Sequence, residues 1–405
     1  MEETDRILQC EYCRNRLYIS PLGHLKYFLA PKQSAPDLFF LPYWRFKGIV
    51  FSNATPELEG RIVDSNLLAL KLSNVPVSLG VRPQVLKLRY AGPGLKGTFL
   101  HPRLPCRTLA AGYGGHASGT FIGETVSLIY SPVSVRGNLF FDAILERPIC
   151  RLNEPLSELP PPFPRGSLQS PPLPNGAEET GGDFEREDWV KFVATLCPDC
   201  GWDLDGEKDT LVLLCRKCGS GWQAGGAGLE RIELGVKHPP DRRTPVVYLP
   251  FWRFTGRVTG LELKSYADLV RIANLPRVIP SAWEEREPHL WVPAFKIQPH
   301  MFLRLAKALT VLDREPEPDP QAEFPTSPLF PVTLALNEAE AGLEVLIASL
   351  LPSHKPVLST MDKLSFSVTG SSLLYLPFVS SGEELILAEI PISIQKNAVS
   401  LGRLI

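Results

Sequence analysis

Cys197-Pro198-Asp199-Cys200 and Cys215-Arg216-Lys217-Cys218 are the segments whose residue types and spacing most directly specify chemistry. Each Cys-x-x-Cys pair delivers two thiolates to one point, and fourteen residues separate the pairs. Gly201 and Gly219 follow the second cysteine of each pair and permit the tight turn that aims backbone amides at sulfur. Between the pairs, Asp205-Gly206 is a hairpin-turn signal, with Trp202–Leu204 and Thr210–Leu214 expected as its strands. Two such knuckles on one hairpin give a tetrahedral four-thiolate donor set, which suits Zn²⁺. Four protein ligands leave no position for substrate, so the metal is expected to be structural. Such a site supplies roughly 10–16 kcal/mol of apparent binding free energy to a unit too small to build its own core. A redox dithiol is the weaker reading, because such pairs come singly and on a different fold.

Residues 196–222 resemble a zinc ribbon, the class shared by transcription factors, polymerase subunits, ribosomal proteins and many uncharacterised bacterial proteins. The resemblance covers under a tenth of the chain and implies a metal, not a function. The knuckles also resemble those of rubredoxin, which would imply iron, although the interval is short for that site.

Cys10-Glu11-Tyr12-Cys13 matches the second knuckle alone, and its first knuckle would fall before Met1. Either this second site is degenerate, or its missing ligands come from elsewhere. Cys106, Cys150, His24, His101 and His116 are the candidates within the chain. The alternative is the same knuckle of a second protomer, which would make a homo-oligomer around a second Zn²⁺.

The two ends of the chain repeat a pattern. Phe40-Leu41-Pro42-Tyr43-Trp44-Arg45-Phe46-Lys47-Gly48 follows the first cysteine pair by about thirty residues, and Tyr248-Leu249-Pro250-Phe251-Trp252-Arg253-Phe254-Thr255-Gly256 follows Cys218 at a similar distance. Val75-Pro76, with Pro83 and Leu86-Lys87-Leu88 behind it, is expected to match Val292-Pro293, Pro299 and Leu303-Arg304-Leu305. Leu128-Ile129-Tyr130-Ser131-Pro132-Val133 with Gly137 is expected to match Leu374-Tyr375-Leu376-Pro377-Phe378 with Gly382. Tandem duplication follows from four landmarks in one order. The Leu-Pro-aromatic-Trp-Arg-Phe element also resembles bacterial ribbon proteins of unknown role, in which a ribbon precedes a β-rich domain.

The elements that must position these residues are mixed. Val246–Phe254 and Leu385–Ile394 read as strands, and Pro391 makes the second either an edge strand or a broken one. His300–Leu312 reads as a helix opened by Pro299. Asn337 is expected to cap a second helix that runs to about Leu351, where Pro352 stops it. The fold class expected is α+β: internally duplicated β-rich modules with a few helices, plus a rubredoxin-like zinc ribbon hairpin. The expected division is an N-terminal copy over 1–152, a Pro- and Gly-rich flexible linker over 153–188, the ribbon over 189–226 and a C-terminal copy over 227–405. A Pro-rich acidic loop interrupts that last copy at 315–331.

Composition bounds the function. In 405 residues, 44% are hydrophobic and 21% charged, which is ordinary for globular proteins, and 40 prolines point to linkers and β structure. A net charge of −2 lacks the basic surplus by which nucleic-acid binders neutralise phosphate. The acidic start Met1-Glu2-Glu3-Thr4-Asp5 and the absence of a long apolar run give the expectation of a cytoplasmic protein without a membrane span. Trp44, Arg45, Trp252 and Arg253 invite a ligand-binding reading, but core packing with a carboxylate partner for each arginine is the better one. Gly112–Gly119 lacks the ending of a phosphate-binding loop and reads as a loop. The seven histidines form no metalloprotease pattern, and no nucleophile elbow is present.

The function expected is therefore a non-catalytic zinc-binding interaction or assembly protein with protein partners. The alternative is a nucleic-acid-associated ribbon factor using Arg216, Lys217, Trp222, Arg242 and Arg243. An enzyme with a scattered site ranks last.

Overall fold

The computed structural model describes residues 5–9, 12, 14–21, 24–33, 37–52, 58–91, 95–105, 119–151, 190–225, 228–319, 324–352 and 364–403. Cys10, Cys13, Cys106, His116, the glycine-rich run up to Ser118 and the 153–188 linker lie outside them. The chain is strand-rich with a minority of helix, arranged around two half-barrel sheets. Among the described residues no helix is long and apolar enough to cross a membrane.

β1 (Ile7–Gln9) and β2 (Arg16–Pro21) form a hairpin, and β3 (Leu25–Leu29) leads into the N-terminal sheet. That sheet continues through β4 (Phe39–Ser52), β5 (Glu59–Leu68), a single turn α1 (Arg82–Val85), β6 (Leu88–Tyr90) and β7 (Thr98–Phe99). It closes with β8 (Gly119–Arg136), β9 (Leu139–Asp142) and β10 (Arg147–Arg151). β11 (Val190–Ala194) returns to pair with β2. β12 (Val212–Leu214), β13 (Gly221–Ala224) and β14 (Leu229–Ile232) form a small sheet of their own. The C-terminal sheet holds β15 (Leu234–Val236), β16 (Val246–Thr259), β17 (Leu290–Pro293), β18 (Ser365–Ser381), β19 (Glu384–Leu387) and β20 (Ser393–Gln395). Its helices are α2 (Tyr266–Ile272), α3 (Ala282–Glu285), α4 (Pro299–Thr310), α5 (Leu336–Leu350) and α6 (Lys396–Gly402).

The repeated sequence element builds the central strand of each sheet. In β4, Pro42, Tyr43, Trp44 and Arg45 stand opposite Tyr130, Ile129, Leu128 and Ser127 of β8. In β16, Pro250, Phe251, Trp252 and Arg253 stand opposite Tyr375, Leu374, Leu373 and Ser372 of β18. Both pairings shift register at the glycine that ends the element, after Lys47 in one sheet and after Thr255 in the other. β3 runs parallel to β8, and β15 runs parallel to β18. Trp44 donates its indole N–H to the Leu104 carbonyl at 2.7 Å, and Trp252 donates to that of Leu334 at 3.0 Å.

Both tryptophans are 1% exposed, so they are core and not stacking platforms. Arg45 is nearly as buried and forms a two-pronged pair with Asp64, at 2.8 and 2.7 Å. Arg253 reaches Glu317 at 3.1 Å and the Ser372 hydroxyl at 3.3 Å. A guanidinium on a buried strand must find a carboxylate, because leaving it unpaired costs several kcal/mol. The two sheets meet that need from different segments.

α4 begins at Pro299 as expected and buries Met301, Phe302, Leu305 and Leu309. α5 buries residues nearly all round because it is packed between β8 on one side and β17 and β18 on the other. Phe302 of α4 meets Phe51 of β4 with ring centroids 6.0 Å apart, tying the two sheets through one continuous core.

Some expectations are corrected. α5 starts one residue before Asn337, with Ala335 as its cap residue and no side-chain cap bond, so Asn337 lies in the first turn. Val292-Pro293 forms part of β17 opposite Trp252 and Phe251, the place that Leu67-Leu68 of β5 takes beside Trp44 and Tyr43. Val75-Pro76 lies beyond β5, so these dipeptides do not correspond; shared letters concealed different hydrogen-bonding positions. The loop expected at 315–331 is not among these corrections, and where it is described it is bonded to its surroundings. Glu315 bonds Arg286 and His289, Asp319 bonds Lys237 and the His238 amide, and the Phe330 amide donates to the Tyr248 carbonyl.

Candidate metal centre

The knuckles follow from local sequence. The amide of Gly201 donates to the Cys197 carbonyl at 2.8 Å, and the amide of Gly219 donates to that of Cys215 at 2.9 Å. Both glycines have positive φ, +69° and +73°, where a side chain would be strained. Each knuckle is then closed by its first cysteine, whose amide donates to the carbonyl of Trp202 or of Ser220 at 2.8 Å. The two loops are built alike.

The connection between them differs from the expected hairpin. The stretch 202–205 forms only isolated bridges, Leu196 to Asp203 and Asp205 to Leu214, and β12 begins at Val212. The chain reverses at Glu207–Thr210, where the Thr210 amide donates to the Glu207 carbonyl, and not at Asp205-Gly206. Asp205 is instead drawn into the bridge to Leu214, so the turn falls later.

Cys197, Cys200, Cys215 and Cys218 come together, with all four sulfurs within 4.8 Å of one another. Cys197 and Cys218 lie 3.6 Å apart, and Cys200 and Cys215 lie 3.4 Å apart. A tetrahedral site with metal–sulfur bonds of about 2.3 Å has sulfur–sulfur edges of about 3.8 Å. The spacing matches that figure and is far beyond a disulfide bond. These four residues could hold a metal ion, and among the described residues they are the one such group.

Ser220 is the neighbour that the sequence pattern did not single out. Its hydroxyl lies 3.1 Å from the Cys218 sulfur and 3.5 Å from that of Cys197, and is itself fixed by the Trp222 indole N–H at 2.8 Å. Its only signal was its place two residues after Cys218. Burial opposes ionisation of Cys197, but the Ser220 hydroxyl and the amides of Cys200 and Asp199 outweigh it and bring the thiol down to about 6. The Ser220 hydroxyl also lowers Cys218. At Cys215, burial dominates and pushes the thiol up to about 12. A cation among the four sulfurs would supply what the buried side of the site lacks, since a coordinating thiol is deprotonated outright.

Around the sulfurs, Ile7 and Tyr18 of the N-terminal hairpin pack with Leu204, Leu213 and Trp222 in one cluster. The Ile7 amide donates to the Lys208 carbonyl at 3.0 Å, and the Leu211 amide donates to that of Val332 at 2.7 Å. Arg403 near the C-terminus pairs with Asp209 and Glu207. The cysteine unit is therefore bonded to both halves of the chain.

The other candidates are dispersed. Cys150 lies half-buried on β10 and its thiol is pushed up by burial. His24 packs edge-on to Trp44, and His101 faces the Pro102 carbonyl. Arg216 bonds Asp205 and the Pro325 carbonyl, and Trp222 is buried. Lys217 lies over the exposed Trp202 ring, 4.6 Å from its centroid, while Arg242 and Arg243 are exposed.

Compared with family models, curated proteins and solved structures, the chain matches none.

Proposed function

We propose that the chain is a non-catalytic zinc-binding assembly protein, in which a structural Zn²⁺ at Cys197, Cys200, Cys215 and Cys218 fastens two related β-rich modules that act on protein partners in the cytoplasm. The carrying observation is the position of the four-cysteine unit, whose main chain and side chains bond to both halves of the molecule. Four thiolates suit zinc and fill its coordination shell, so the metal's contribution is to folding and not to chemistry. The shared strand register and the shared bulge at the end of the Trp-Arg-Phe element support the view that the modules arose by duplication.

The metal is tested by elemental analysis of protein purified without a metal-binding tag. One zinc per chain is expected, falling to near zero in Cys200→Ser. Iron with the visible absorption of a thiolate site would replace zinc in this reading. The assembly role is tested by a tagged pull-down from native lysate with and without nuclease. A stoichiometric protein partner that survives nuclease is expected; partners that vanish with nuclease would favour the nucleic-acid alternative.

A further inference from the structure

The two knuckles share their main-chain bonds but not their side chains. The carbonyl of Ser220 closes the second loop, the place that the carbonyl of Trp202 holds in the first. Trp202 is 55% exposed and has no hydroxyl to offer Cys200. Ser220 is 3% exposed and lies against two of the sulfurs. The asymmetry follows the exposure of the cysteines. Cys197 and Cys215 are buried and Cys200 is half-buried, whereas Cys218 is exposed. A ligand sulfur open to solvent is the one that a chelator or an alkylating reagent reaches first.

The side chains behind Cys218 form a directed chain of hydrogen bonds. An indole nitrogen can only donate, and that of Trp222 donates to the Ser220 oxygen at 2.8 Å. A thiolate on a metal can only accept, so the single hydroxyl hydrogen of Ser220 goes to sulfur. Cys218, at 3.1 Å, is its nearer acceptor, and Cys197, at 3.5 Å, the farther one. The bond received by the oxygen polarises the hydroxyl and strengthens the bond it gives. Trp222 is locked in turn, because it is 5% exposed and packs with Ile7, Tyr18, Leu204 and Leu213. The donor is therefore aimed by the fold itself.

On the zinc reading given above, we infer that Ser220, aimed by Trp222, is the positioning residue that keeps the exposed ligand Cys218 on the metal and slows metal loss. Its hydrogen bond draws charge from the sulfur and tethers the side chain, so a sulfur that leaves the metal stays within reach and returns. Groups that orient metal ligands in this way commonly change metal affinity by about 10–100-fold when removed.

The test is the rate at which zinc passes from the loaded full chain to an excess of a chromogenic chelator. Ser220→Ala should release zinc about tenfold faster than the wild type. Trp222→Phe keeps the hydroxyl and removes only the group that orients it, and should fall between the two. In the Co²⁺-substituted chain, Ser220→Ala should move the sulfur-to-metal charge-transfer band to longer wavelength, because a thiolate without a hydrogen bond gives up an electron more readily. The tetrahedral d–d bands should stay in place, which a mere loss of structure would not allow. A loaded Ser220→Ala with the wild-type release rate and an unmoved band would overturn the assignment. If Ser220→Ala fails to hold metal, Trp222→Phe decides, and a wild-type rate in that variant would overturn it equally. A wild-type chain that takes up no stoichiometric metal would instead remove the zinc reading, and this inference with it.

Discussion

Arg45 shows how a charged residue can be part of a core. Its guanidinium is almost fully buried and both prongs are matched by Asp64. Truncating one member of a buried pair leaves the other uncompensated, so Arg45→Ala should cost about 3–5 kcal/mol in urea unfolding. The double change Arg45→Met with Asp64→Leu should recover most of that. Glu315 offers a pH test of the same physics. Burial opposes its ionisation, but hydrogen bonds and charge from His289 and Arg286 hold its carboxyl below the ordinary value of 4.5. A depressed carboxylate stabilises the fold fully above its unfolded value and loses that contribution as pH falls through the folded one. Glu315→Gln should therefore cost about 2 kcal/mol at pH 7. Thermal melts should show the gap to the wild type shrinking as pH drops below about 4.5; a gap that is constant with pH would contradict it.

At the scale of elements, the bulge in β16 depends on Gly256. A Cβ added there would stand 2.4 Å from the Ser367 carbonyl oxygen and 2.6 Å from the Phe366 ring. Gly256→Ala must move backbone, and is expected to lower stability by about 1–3 kcal/mol. α2 is closed by a full capping box, in which Ser265 accepts from the Asp268 amide and Asp268 accepts from the Ser265 amide. Ser265→Ala should cost about 1 kcal/mol, measurable as a shifted denaturation midpoint with an unchanged slope. α5 has no such cap, and its stability comes from being buried between two sheets.

For the whole molecule, the cysteine unit is where the N-terminal hairpin, the segment around Val332 and Arg403 at the end of α6 converge. Removing the zinc proposed for this unit should therefore do more than melt residues 196–222. Limited proteolysis after chelation is expected to cut within the cysteine unit and also to loosen β1 and β2, with protection restored by adding zinc. Cleavage confined to that unit would show that the metal acts only locally.

The sequence alone determined the local features, because they are encoded by contiguous residues. The two knuckles with their positive-φ glycines, the Pro299 helix start and the strands of the Trp-Arg-Phe element were all legible in that way. Even the preference for a carboxylate beside each arginine followed from the cost of a buried charge. What only the tertiary structure decided is which distant segment meets each need. Asp64 serves Arg45 from the adjacent strand, whereas Glu317 serves Arg253 from a proline-rich stretch. The late turn of the cysteine unit, the hydroxyl of Ser220 between two sulfurs and the bonds that hold the unit to both halves belong to the same class. Spacing along the chain reports what neighbouring residues can reach; long-range hydrogen bonds and burial depend on how the sheets pack, and no local pattern carries that information.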